Sequence, residues 1–180
     1  MRAMQKISFR NDILPLKDKL FRLALCITRN REEAEDIVQD TMLRVWNRRE
    51  EWNVWETVEG FCLTICRNLA IDRSQKMDAR HVELTPEVTE LPDMAAPDKL
   101  MERDERLGLL HRLIAELPEK QRTILQLRDV EGKSYKEIAE ILQLTEEVVK
   151  VNLFRARQRI KLKYLSLIHI SEPTRLDVIS

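Results

Sequence analysis

The stretch from Ser134 to Lys163 leaves this chain the fewest structural choices. Ser134-Tyr135-Lys136-Glu137 is a capping box. Its N-cap serine oxygen accepts from the N3 amide, and the N3 glutamate reaches back to the N-cap amide. The helix it opens is short, Tyr135–Leu142, because Gln143-Leu144-Thr145 follows as a three-residue turn. Thr145 is a good N-cap for the next helix, Glu146–Lys163, and two leading glutamates suit the positive end of the helix dipole. A short capped helix, a tight turn and a longer helix spell a helix-turn-helix unit.

The second helix of that unit is chemically two-faced. Val149, Leu153, Ala156 and Ile160 define its buried face. Opposite them stand Lys150, Val151, Phe154, Arg155 and Gln158, with Asn152 and Arg159 towards one flank. Lysine and arginine meet phosphates or guanine edges, amides meet adenine, and apolar groups meet thymine methyls, so this face suits a major groove. Taken alone, a basic helix is more often simply solvated; the short partner helix and capped turn reverse that preference. Between Lys150 and Lys163 there are six cations and no anion. The formal net charge of zero therefore hides a polarised chain. Residues 1–50 carry 11 basic and 8 acidic side chains, residues 81–118 carry 4 and 9, and residues 119–165 carry 11 and 7. With a Debye length of roughly 8 Å, local charge decides contact with phosphates and the neutral total excludes little.

Three glycines in 180 residues, few aromatics and 34% charged residues favour packed helices over a sheet, which needs more turns and β-branched residues. The expected fold class is all-α. Ile13–Arg29, Arg31–Arg49 and Val58–Gln75 read as helices of a first domain. In the second of these, Ala34, Ile37, Val38, Thr41, Met42, Val45 and Trp46 make one buried stripe. Met101–Leu117 and Glu119–Arg128 read as helices preceding the helix-turn-helix, parted by Pro118. Pro86, Pro92 and Pro97 punctuate an acidic segment between the two sets, and proline both removes a donor and restricts its predecessor. The expectation is therefore two small helical domains, 1–79 and 101–164, joined by an extended acidic linker over 80–100. The tail 165–180, LSLIHISEPTRLDVIS, breaks the basic amphipathic pattern and reads as vector or adapter read-through rather than working protein.

Cys26, Cys62 and Cys66 are odd in number and lack framework spacing, and no apolar run is long enough to cross a bilayer. Cytoplasmic location is expected. Cys62 and Cys66 lie at i, i+4 on an apolar stripe, so buried core cysteine is preferred to a metal pair. No phosphate-binding glycine loop, metalloprotease pair or nucleophile elbow occurs, and no carboxylate pairs with a positioned histidine. The chain is expected not to be an enzyme, and to need neither cofactor nor small-molecule substrate.

Opposite the buried stripe of the Arg31–Arg49 helix sit Glu32, Asp36, Gln39, Asp40 and Asn47, interrupted by Leu43. An acidic face with one apolar residue fits contact with a basic partner helix, and equally fits a solvated face with a stray leucine.

Three segments also carry a family resemblance. REEAEDIVQDTMLRVW (Arg31–Trp46) resembles the core-polymerase-binding helix of bacterial sigma factors of the extracytoplasmic-function (ECF) group. FCLTICRNLAIDR (Phe61–Arg73) resembles their helix that reads the −10 promoter element. LPEKQRTILQLRDVEGKSYKEIAEILQLTEEVVKVNLFRARQRI (Leu117–Ile160) resembles their domain that reads the −35 element. Their order and spacing match as well.

The resemblance implies roles. Asp36, Gln39, Asp40 and Leu43 match positions that grip the β′ coiled-coil of core RNA polymerase. Asn68, Asp72 and Arg73 match the −10-reading helix, and Glu50–Thr57 matches the loop that captures a flipped base, with Trp52 or Trp55 available to stack on it. Both tryptophans fit core packing equally well. Lys150, Val151, Asn152, Arg155 and Arg159 match positions facing the −35 duplex. The acidic linker would thread near the RNA exit path of the polymerase. Implied partners are core polymerase (β′ and β), promoter DNA, and an anti-sigma protein of the kind that is often membrane-anchored. Gln143 stands where the family often has glycine, and Val151 and Asn152 replace the commoner serine and arginine. The rival readings are a stand-alone helix-turn-helix regulator, which needs a dimer interface and a sensor domain, and a helical adaptor that never meets DNA.

Overall fold

The computed structural model describes residues 6–80 and 101–171, and the acidic linker expected over 80–100 falls almost wholly outside them. The described residues are helical, without strands. Ser8 caps the first described turn by accepting from the Asn11 amide while Asp12 accepts from the Ser8 amide at 2.7 Å. A π-helical turn, Phe9–Ile13, and a 3-10 turn, Leu14–Leu16, with Pro15 at its start, then lead into helix α1, Lys17–Thr28. The expected helix from Ile13 to Arg29 is thus trimmed at its N-terminal end, because Pro15 cannot donate to a continuous α-ladder.

Arg29 turns the chain in a left-handed conformation (φ 56°), and Asn30 caps helix α2, Arg31–Asn47, by accepting from the Glu33 amide at 3.1 Å. A 3-10 turn, Arg49–Glu51, opens the loop before helix α3, Val58–Arg80. That helix runs five residues past the expected Gln75. Leu20, Leu23, Ala24 and Ile27 of α1, Ala34, Ile37, Val38 and Val45 of α2, and Phe61, Cys62, Ile65, Cys66 and Ala70 of α3 form the buried centre of this unit. Trp46, placed on the buried stripe by periodicity, is instead 47% exposed, with its ring edge-on to Phe9 at 5.6 Å.

The second unit begins with α4, Met101–Ala115, and α5, Glu119–Leu125, separated by Pro118. A π-helical turn, Gln126–Val130, replaces the expected continuation of α5 to Arg128. Gly132 at φ 69° then reverses the chain, a conformation an L side chain resists. Helix α6, Tyr135–Leu142, carries both halves of the capping box, each at 3.1 Å. Gln143 takes the left-handed conformation (φ 56°, ψ 48°) that glycine would adopt more easily. Thr145 accepts from the Val148 amide at 3.2 Å and starts helix α7, Glu146–Ser171, which continues beyond Lys163 into the suspected tail.

The two units are docked on each other. α6 packs on α3 and α5 on α1, and the buried apolar residues of both units join in one cluster.

Candidate nucleic-acid interface

Helix α7 divides its side chains as its sequence predicts. Val149, Leu153 and Ala156 are buried and Ile160 is half-buried, so the helix is anchored along one line. Lys150, Val151, Phe154, Arg155, Gln158 and Arg159 are exposed, Phe154 at 66%. Arg155 and Arg159 make no ion pair among the described residues. Two other cations of the helix are occupied: Arg157 binds Asp129 at 2.5 Å and Lys163 binds Glu116 at 2.8 Å. Lys150 lies 5.5 Å from the Tyr135 ring centre, which steadies it beside the turn. Asn152 turns its amide back to the Val148 carbonyl at 2.8 Å, so its donor serves its own helix.

On the first unit, Asp36 and Gln39 are exposed, Asp40 is half-exposed, and Leu43 stands out at 62%. Leu43 beside the exposed Trp46 gives this face a broader apolar element than one leucine. The carboxylates are not free, however. Arg73 of α3 reaches across to α2, with Nη1 2.6 Å from Glu33 and 3.9 Å from Asp36, and Nη2 3.1 Å from Asp40. The hydrogen bond with Glu33, opposed by burial and helped by the charges of Glu33, Asp40 and Asp36, pushes the Arg73 pKa up. Arg73 was expected among the −10-reading residues. In the fold its guanidinium ties that helix to the acidic face.

Asn68 and Asp72 of α3 remain exposed and line an open cleft of about 460 Å³ against α2. Its other walls are Ile65 and Leu69 of α3, Arg44 and Asn47 of α2, and Arg48 just beyond it. Arg44 and Arg48 escaped the sequence reading. They lie four and eight residues after Asp40, and a wheel of α2 extended to its last turn places them beside Asn47. A groove with two cations and two exposed amides around the apolar Ile65 and Leu69 suits a single strand, whose phosphates and bases face opposite sides.

The tryptophans separate. Trp52 is 6% exposed and donates from Nε1 to the Val45 carbonyl at 2.8 Å, so its ring takes the core-packing place that was one of its two expected roles. The Val45 carbonyl satisfies the indole donor, which lets the ring stay inside. Trp55 is half-buried against Phe61, ring centres 5.4 Å apart. Cys62 and Cys66 are buried in the core, and desolvation pushes both thiols up to about 12. No helix among the described residues is long and apolar enough to cross a membrane.

Comparison with known proteins agrees with this geometry. Residues 13–80 match the family model "Sigma-70 region 2", and residues 107–160 match "Sigma-70, region 4". The chain is 30% identical over 144 residues to the ECF RNA polymerase sigma factor SigL of Mycobacterium tuberculosis, covering 79% of this chain and 81% of that protein. It is 29% identical over 160 residues to the RNA polymerase sigma-H factor of Pseudomonas aeruginosa, covering 83% of each. Among solved structures, the sigma factor RpoE of Bartonella quintana, crystallised with the anti-sigma factor NepR, shares the fold. Its TM-score is 0.68 at 22% identity, over 85% of this chain and 94% of that one.

The chain belongs to the ECF family of RNA polymerase sigma factors. It is a promoter-specificity subunit: it binds core RNA polymerase and directs initiation through its region 2 and region 4 domains, leaving phosphodiester chemistry to the polymerase. A stand-alone helix-turn-helix regulator would not carry region 2.

Proposed function

We propose a division of labour among named residues. Asp36, Gln39, Asp40 and Leu43, extended by Trp46, dock α2 on the β′ subunit. Asn68 and Asp72, with Arg44 and Arg48, line the path of the unpaired −10 strand, and Trp55 offers it a stacking face. Lys150, Val151, Arg155 and Arg159, with Phe154, face the −35 duplex, while Asn152 must first release the Val148 carbonyl to reach a base. The working boundaries are 1–79 for the first domain and 101–164 for the second, with 165–180 outside the functional protein. The protein acts in the cytoplasm, where its polymerase is. An anti-sigma protein, membrane-anchored or soluble, is a further partner, supported by the fold shared with RpoE crystallised with NepR.

One observation carries this reading. Helix α7 exposes unpaired Arg155 and Arg159 beside Val151 and Phe154, while Arg157 and Lys163 are held in ion pairs. Charge left unpaired next to apolar side chains on a capped helix-turn-helix is a face awaiting a groove. Run-off transcription with core polymerase over a genomic fragment library tests it. Discrete transcripts that vanish in Arg155→Ala are expected; transcripts indifferent to that change would remove α7 from promoter recognition.

A further inference from the structure

Helix α7 leaves uncovered an apolar ridge that neither core packing nor ion pairing accounts for. Val148, Val151 and Phe154 follow one another at three-residue steps and are 36%, 45% and 66% exposed. Such a row runs obliquely over the face opposite Val149, Leu153 and Ala156, the residues that hold the helix to its domain. None of the three ridge side chains belongs to the core or packs against it. Cations stand to either side of Val151. Lys150 is steadied on one side, 5.5 Å from the Tyr135 ring centre, while Arg155 and Arg159 lie exposed on the other. Asn152, the residue after Val151, donates its amide to the Val148 carbonyl at 2.8 Å.

What covers the centre of this ridge follows from its neighbours. Cations beside it can meet phosphates, and the apolar group that a base edge presents in the major groove is the thymine C5 methyl. Side chains three residues apart on a helix have Cβ atoms about 5–6 Å apart. Apolar contact needs heavy atoms within about 4.0–4.5 Å. A single methyl therefore fits between Val151 and Phe154 and touches both. Cytosine offers that seat no methyl and sets its N4 amino group beside it, where valine supplies no acceptor. Asn152 adds little discrimination while its donor is held by its own helix.

We infer that Val151 is a specificity-determining residue: with Phe154 it seats the C5 methyl of one thymine in the −35 duplex, a role that rests on the assignment of α7 to that duplex proposed above. The base pair at this position is read by apolar contact instead of hydrogen bonding. Burying one methyl group changes affinity about 4-fold.

Holoenzyme assembled from the full chain and core polymerase tests this on promoter duplexes randomised across the −35 element. The enriched duplex is then remade with deoxyuridine in place of each −35 thymine in turn. Uracil lacks only the methyl group and keeps its pairing. At one position the exchange is expected to weaken wild-type binding about 4-fold. At that position Val151→Ala holoenzyme is expected to bind the thymine and uracil duplexes alike. Arg155→Ala holoenzyme is expected to bind more weakly throughout yet keep the methyl effect, which separates the seat from phosphate and guanine contacts. Val151 is nearly half exposed, so truncating it leaves the core intact; circular dichroism checks this, and Val151→Thr, which keeps the branch and one methyl, is expected to show a smaller methyl effect than wild type. An enriched element without thymine, thymines that all tolerate uracil, or a methyl effect undiminished in Val151→Ala would overturn the inference while leaving α7 on the −35 duplex. No enriched −35 sequence at all would overturn the assignment of α7 as well.

Discussion

Replacing Arg122 by alanine removes a cation that few sequence rules would place indoors. Its guanidinium donates to three carbonyls, those of Cys26 at 2.7 Å, Leu117 at 2.9 Å and Ile27 at 3.5 Å. The third is long and contributes least. Hydrogen bonds to a charged group contribute about 1.5–3 kcal/mol each, so the two shorter ones set the scale of the loss. The Leu117 contact lies within the second domain, whereas the other two cross to α1. Arg122→Ala is therefore expected to lower unfolding stability by about 3–5 kcal/mol, which for this chain size drops Tm by roughly 6–20 °C. Urea titration followed by circular dichroism measures it. Arg122→Lys keeps the charge but not the fork, and should recover less than half of the loss. A loss below about 1 kcal/mol would refute the reading of Arg122 as a buried cap on the carbonyl end of α1.

Five other perturbations separate structural from functional residues. Trp52→Ala should destabilise the first domain by about 3–5 kcal/mol. Trp55→Ala should cost less stability and instead slow strand opening, read by 2-aminopurine fluorescence at the −10 element; equal stability losses would merge the two roles. Arg155→Ala should lower the salt slope of duplex binding by about 1, with an unchanged slope placing Arg155 off the phosphates. Asp40→Lys should weaken core binding at least ~10-fold by like-charge contact with a basic partner helix, and should also loosen Arg73, so a native-like core affinity would exclude this face. Burial pushes the Glu59 carboxyl up, but hydrogen bonds from Lys133 and Lys19 outweigh it and leave its pKa below the ordinary range. Stability from a depressed carboxylate is present above the unfolded pKa of about 4.3 and is lost as pH falls through the folded value. The fall in unfolding stability between pH 5 and 3 should be shallower in Glu59→Gln than in wild type, and identical slopes would refute a stabilising role for its ion pairs with Lys133 and Lys19.

What the sequence determined on its own was local. The capping box at Ser134, the three-residue turn opening at Gln143, the cap at Thr145 and the buried line of Val149, Leu153 and Ala156 depend on residues within a few positions of each other. Hydrogen bonds and helical periodicity of that range are legible without a fold. So was the family, because three such local patterns recur in fixed order. Tertiary structure decided where each long side chain finds its partner. Periodicity placed Trp46 inside, but a late helical turn faces Phe9 and solvent, and the indole donor that found a buried carbonyl belonged to Trp52. Arg73 meets Glu33 and Asp40 from 40 and 33 residues away. Arg122 and Glu131 meet α1 across 96 and 109 residues. An arginine reads as a DNA contact, a clasp or a buried cap according to which charge or carbonyl the packing of α1, α2, α3 and α5 brings within 3 Å. That choice is made by the assembled helices, since the same side chain is locally compatible with all three.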